Sequence, residues 1–269
     1  MINIMLFKQA SIYTCCKKFA TMDRNKTRTL IFFVLSLVFL SISCQKSSHF
    51  PEFSKARVHL KMNIGTSLFS AWDTIKYVNA AGNLYSVNRI NLYISSVIIR
   101  QSNGKSHISK KVFYIDPSIS SKSFFDLDSI PPGAYTEITF LLGIDSSLNK
   151  TNFLPATIDN VNMAWPDMMG GGYHFMKFEG HYLDTAGAKK GYAFHIGRNV
   201  HLPTLTFSCL MNQKHVDHQY NLNFDLKEIF DTPYKYDLNI EKNYTMSDSV
   251  AMSRIKNNLF NAFSLNQIQ

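Results

Sequence analysis

Cysteine is scarce in this sequence: there are four in 269 residues, and Cys15, Cys16 and Cys44 lie within the first 44. Cys209 is the only thiol in the remainder, so an internal disulfide is excluded and the fold must be held by its core. The apolar run Leu30 to Ile42 falls well short of the ~20 residues that a membrane-spanning helix needs. There is no Gly-x-Ser-x-Gly elbow and no phosphate-cradling glycine loop. Cys209 sits in the apolar stretch Leu205 to Leu210 and reads as a small buried hydrophobe rather than a nucleophile. The chain is therefore read as a non-enzyme. The formal charge is +9, but Lys and Arg nowhere cluster with aromatic residues on one face, so nucleic acid is not an expected partner. Much of the excess is local. Removing the first 44 residues takes away six basic side chains and one acidic, leaving 22 against 18.

What the N-terminus does have is a signal. Arg24, Lys26 and Arg28 precede the apolar run, and Ser43 and Cys44 follow it. Basic flank, apolar stretch and small residue before a cleavage point form the pattern of an export signal. A cysteine in that place resembles a bacterial lipobox, with Cys44 acylated as the mature N-terminus and Ser41 where Leu is usual. Residues 1–44 are thus read as a signal peptide with lipobox, with Met22 as a possible true start. Residues 45–52 are a tether, and residues 53–269 form one domain. The expected location is the bacterial cell envelope, with the chain lipid-anchored at the outer membrane.

The mature chain alternates with a period of two residues, as half-buried strands do. Val58, Leu60, Met62 and Ile64 fall on one face of the first segment. Further strands are expected at Arg89 to Arg100, Val112 to Ile115, Tyr135 to Gly143, Tyr173 to Glu179, Gly191 to Ile196, Thr204 to Met211 and Tyr220 to Leu226. Only the C-terminus has helical spacing, with Ser247 as N-cap and Met252, Ile255, Leu259 and Phe263 as a buried stripe. The fold class expected is mainly β: an antiparallel β-sandwich-like domain with one C-terminal helix.

Several segments, in order, carry a family resemblance: Arg89 to Val97, Pro131 to Tyr135, Leu142 to Asn149, Met163 to Trp165, Gly172 to Gly180 and Phe194 to Gly197. Together they resemble the MbnP-like proteins, named for a methanobactin-associated periplasmic copper-binding protein. The resemblance implies a secreted β-sandwich-like domain with a copper site, made in characterised members by two histidines and a tryptophan oxidised to kynurenine. It also implies a dihaem peroxidase-like partner for that oxidation. His195, in His195-Ile196-Gly197, matches a family histidine. The other family histidine belongs to a Trp-x-His motif; here His107 is nearby, preceded by Ser102 to Ser106, with no tryptophan. A kynurenine ligand cannot form at that place.

The residues suggest a second route to a metal. On Gly172 to Gly180, alternation puts His174, Met176 and Phe178 on one face and Tyr173, Phe175 and Lys177 on the other. Imidazole with thioether is a soft donor set suited to Cu(I). The expected site is therefore His195 and His174, with Met176 as a soft ligand, His107 as the alternative second histidine and Trp165 beside them. Bringing His174 to His195 requires a register offset or a bulge. Each residue also has a structural reading: Met176 as core filler, Trp165 as an anchor beneath its loop, Glu179 with Gly180 as the close of a strand. The function expected is copper or soft-metal handling or acquisition by an envelope lipoprotein. The rival is a metal-free surface module that binds a protein or glycan through Tyr85, Trp165 and Tyr173.

Overall fold

The computed structural model describes residues 53–213 and 217–267. Cys44, the signal and the tether lie outside them. Thirteen strands form in chain order: β1 (Ser54–Ile64), β2 (Ser67–Leu68), β3 (Tyr77–Val78), β4 (Leu84–Tyr85), β5 (Arg89–Gln101), β6 (Ser106–Ile115), β7 (Phe124–Ile130), β8 (Gly133–Leu142), β9 (His174–Leu183), β10 (Lys189–Gly197), β11 (Thr204–Gln213), β12 (His218–Asp225) and β13 (Phe263–Gln267). Among the described residues two α-helices accompany them, α1 (Ile158–Asn162) and α2 (Ser249–Ala262).

The strands make two sheets. One runs β13-β12-β1-β2, with β7 also on β1; the other runs β11-β8-β5-β9-β4-β3, with β10 on β9 and β6 on β5. The mainly β, sandwich-like reading holds, and the pairing is antiparallel throughout these sheets with one departure: β1 and β12 run parallel. That pair joins an early strand to a late one, a long-range pairing that no local alternation announces. Its alternation is nonetheless what buries it. Ala56, Val58 and Leu60 of β1 face inward, and Leu222 and Phe224 of β12 meet them in the same core.

The central strand β5 differs, because Leu92, Tyr93, Ile94 and Ser95 are all buried. Both of its faces are covered. One face points to the aromatic core of Phe178, Tyr192, Phe194 and Phe230. The other lies under the excursion between β8 and β9, where the Tyr93 hydroxyl donates to Asn160 Oδ1 of α1 at 2.7 Å. Sequence spacing does not reveal α1, which is five residues long and buries none of them; it is held by the Thr157 cap, whose side chain accepts from Asn160 N.

The C-terminal helix starts one residue later than its spacing suggests. Asp248, rather than Ser247, is the cap, accepting from Val250 N and Ala251 N. Met252, Ile255 and Leu259 are buried as expected, whereas Phe263 has already left the helix to begin β13. Cys209 is buried, and burial pushes its thiol up to about 11.

Candidate metal site on the covered face of the larger sheet

The site begins with a pairing irregularity. β10 runs antiparallel to β9 with His195 opposite Lys177 and Ile196 opposite Met176, but Gly197 lies opposite His174. One extra residue, Phe175, is thus accommodated in β9, which is the definition of a bulge. Residues opposite each other in a ladder share a face. The bulge therefore moves His174 onto the face of His195 and Lys177, and leaves Met176 on the other. This corrects the alternation expected for β9, in which His174 and Met176 lay side by side. Met176 is wholly buried in the core with Phe178.

The two imidazoles meet edge to face, with ring centroids 4.8 Å apart and planes at 89°. The Trp165 ring also packs against His174, with centroids 4.7 Å apart. It is 2% exposed, and its indole N–H donates to the Met169 carbonyl. Gly197 makes room for it: a Cβ there would sit 2.5 Å from Trp165 Cε3. The glycine of His195-Ile196-Gly197 thus has a packing reason, and so does Gly180, where a Cβ would fall 1.9 Å from the Ser86 carbonyl oxygen.

Each histidine is oriented through one ring nitrogen. His174 Nδ1 lies 3.0 Å from the Met163 carbonyl, which also accepts the His174 backbone N–H. A carbonyl can only accept, so Nδ1 carries the proton and Nε2 keeps the lone pair. That Nε2 is buried without a hydrogen-bond partner. Burial, with the nearby positive charge of Lys177 and the neighbouring His195, pushes the His174 imidazole down to about 3, so it is neutral at ordinary pH. His195 Nε2 lies 2.7 Å from Glu179 Oε1, both side chains being largely buried. Burial raises the Glu179 carboxyl, but the His195 hydrogen bond and the charges of Arg89 and Lys177 outweigh it and hold it below its usual range. An ionised carboxylate accepts, so Nε2 of His195 is the donor and its Nδ1 is left outside that bond.

The backbone beneath His195 is clamped as well. Its N–H donates to Thr245 Oγ1 at 2.8 Å, and the same hydroxyl donates to its carbonyl at 2.7 Å. Lys177, opposite His195, reaches the last carbonyl of α1, Asn162 O, at 2.5 Å. Burial lowers the Lys177 ammonium from its ordinary value, with Glu179 opposing and Arg89 adding to the shift. Arg89 Nη1 lies 3.2 Å from Glu179 Oε2.

These contacts fit a metal. Metal-binding histidines characteristically spend one nitrogen on a carboxylate or backbone carbonyl, which fixes the tautomer and leaves the other to the ion. Here Glu179 and Met163 are those partners, and the orphaned Nε2 of His174 holds a lone pair with no partner. Other buried polar atoms also lack partners, the Tyr85 and Tyr220 hydroxyls among them, but neither hydroxyl abuts an imidazole pair. Among the described residues no three His, Cys, Asp or Glu side chains converge on one point, so the protein offers two imidazole ligands.

The remaining expected residues lie elsewhere. His107 pairs with Ile99 on β5, eight residues along from Asn91, the partner of Lys177. At about 3.3 Å per residue that is roughly 26 Å from the imidazole pair. Tyr85, Trp165 and Tyr173 are 0, 2 and 3% exposed, so they form no aromatic contact surface. Glu179 is the residue sequence reasoning missed. Alternation and the following glycine place it at the close of its strand, but β9 continues to Leu183. The signal was there: Glu179 is two residues from Lys177 and so shares the face of whatever opposes Lys177.

Comparison with known proteins bears on the fold. A family model described as MbnP matches residues 54–252, a span that holds Trp165, His174, Glu179 and His195. The solved structure of MbnP from Methylosinus trichosporium is similar, with a TM-score of 0.56 and 12% sequence identity, over 80% of this chain and 99% of that one. No curated protein matches the chain.

Proposed function

This chain belongs to the MbnP family, and from that premise we propose that it binds copper, as Cu(I), between His174 Nε2 and His195 Nδ1 and serves in copper handling or acquisition in the cell envelope. The observation that carries the reading is the buried, unpartnered Nε2 of His174 set against a second imidazole. An empty lone pair at such a position costs free energy unless something occupies it. Two imidazoles form a low-coordinate donor pair without a thiolate or a bound carboxylate. Such a pair suits a soft, singly charged ion better than a hard divalent one, which demands oxygen ligands.

In this reading the protein's own groups have distinct roles. Met163 O and Glu179 fix the two tautomers, Thr245 holds the His195 backbone, and the buried Trp165 packs against the His174 ring. Bound copper would supply only its coordination and redox chemistry. The chain is a carrier rather than an enzyme. Acylation of Cys44, attachment to the outer membrane and a dihaem peroxidase-like partner complete the proposal and rest on the sequence and the family resemblance.

Two measurements test it. Competition titration with a Cu(I) chelator should give a 1:1 complex for the wild type, and at least about a hundredfold weaker binding for His174→Ala and His195→Ala. Equal affinity in all three proteins rules the site out. Intact mass spectrometry of the mature protein should show a lipidated Cys44; an unmodified Cys44 removes the anchor.

A further inference from the structure

The imidazole pair is set among fixed charges that do not ligate it. We propose that Lys177 and Arg89 make the His174–His195 site selective for ion charge, admitting a singly charged soft ion and holding off divalent ones. The inference rests on the copper-binding reading of the pair and adds to it the residues that decide which ion enters.

The geometry is set by the ladder. Lys177 lies directly opposite His195, and Arg89 and Asn91 of β5 lie opposite Glu179 and Lys177. All these residues belong to one face. The ammonium of Lys177 donates to Asn162 O at the end of α1. The next carbonyl, Met163 O, is the one that holds His174. Lys177 and His174 are therefore anchored to consecutive peptide groups. Arg89 is tied to Glu179, the carboxylate that orients His195. The face thus carries two fixed positive charges against one negative before any ion arrives. The other acid near α1, Asp159, is already paired with Lys122 at 2.6 Å.

An incoming ion meets that net positive charge in proportion to its own charge. Across a distance on the order of 10 Å, with an effective dielectric of about 20, removing one fixed positive charge should tighten a singly charged ion roughly tenfold. A divalent ion should gain about the square of that, roughly a hundredfold. The square relation separates a charge effect from a packing effect, which would alter both ions alike.

The test compares Cu(I) and Zn²⁺ affinities by chelator competition in the wild type, Lys177→Gln, Lys177→Arg and Arg89→Gln, at low ionic strength. Gln keeps an N–H donor on the side chain and removes the charge. Lys177→Gln should gain much more for Zn²⁺ than for Cu(I), and Lys177→Arg should retain the wild-type ratio. Arg89 is about half exposed, so Arg89→Gln should move the ratio the same way by less, and it carries the test if Lys177→Gln does not fold. Equal gains for the two ions, or no gain for Zn²⁺, overturn the selectivity while leaving the copper site standing. Failure of the wild type to bind Cu(I) overturns both.

Discussion

Two buried histidines occupy different regions of this molecule and are used differently. His201, between β10 and β11, has both ring nitrogens engaged: Nε2 with Ser249 Oγ at 3.0 Å and Nδ1 with Ser253 Oγ at 3.2 Å, both on the first turns of α2. His174 has one nitrogen engaged and one orphaned. They are equally buried, at 2 and 3% exposure, so burial alone does not distinguish a fastener from a ligand. The account of lone pairs does. A fully satisfied imidazole pins one element to another, whereas a half-satisfied one is held ready for something else.

The widest separation between the two should come from replacing each by phenylalanine. His174→Phe removes the orphaned nitrogen and fills the space, and Met163 O keeps its bond from the backbone N–H of residue 174. Replacing an unsatisfied polar group by an apolar one of similar shape is close to neutral or stabilising. Copper affinity should fall at least about a hundredfold while the melting temperature of the metal-free protein stays level or rises. His201→Phe should do the reverse, leaving copper affinity unchanged and costing about 1–3 kcal/mol through the two hydrogen bonds lost to Ser249 and Ser253. Chelator competition and thermal melts of both variants measure this. A His174→Phe protein as destabilised as His201→Phe would mean that His174 is a fastener too.

The next largest effect should come from Glu179→Gln. The amide can still accept from His195 through its oxygen, but it loses the charge that orients and enriches the ring. Loss of such an outer partner typically costs 10–100-fold in metal affinity. Copper titration would show a drop of that order, and an unchanged affinity would detach Glu179 from the site.

Much of this organisation was legible in the sequence. Period-2 alternation located the major strands, and β10, β11 and β12 lie close to their expected bounds. The pairing of His195 with His174 was legible only conditionally, because it depends on the bulge at Phe175. A bulge shifts every later side chain to the opposite face, and no pattern within Gly172 to Gly180 marks it. That is why Met176 was grouped with His174. The parallel partner of β1 and the short α1 were illegible for related reasons: one is set by long-range packing, the other by a cap and by tertiary contacts. Gly197 was read as a motif letter, and only Trp165 beneath it shows why the letter must be glycine. Gly197→Ala should push the indole off His174 and cost about 1–3 kcal/mol, as overpacking does. A changed Trp fluorescence maximum together with a lower melting temperature would register it, and an unchanged spectrum would refute the contact.

The smallest effect concerns acid, and it reads the same contrast through protons. His174 titrates at about 3 in the fold because burial, Lys177 and His195 all oppose its charge, and His201 is lowered by burial and by Lys256 and Arg198. The unfolded chain takes up protons on these rings near the ordinary histidine value of about 6.5. Below that pH the unfolded state binds protons that the folded state refuses, so stability falls as pH falls. Each fully shifted ring contributes a slope of up to about 1.4 kcal/mol per pH unit. The shift of His174 keeps this contribution active down to about pH 3. Glu179 is held low and begins to add its own loss only below the ordinary carboxylate range, so the window between pH 6.5 and 5 isolates the histidines. Urea unfolding of the metal-free protein across that window should show stability declining with acid. His174→Phe should flatten the decline by up to about one such slope, and His201→Phe should flatten it as well. A His174→Phe protein with the full wild-type slope would mean that this imidazole is not held neutral by the fold.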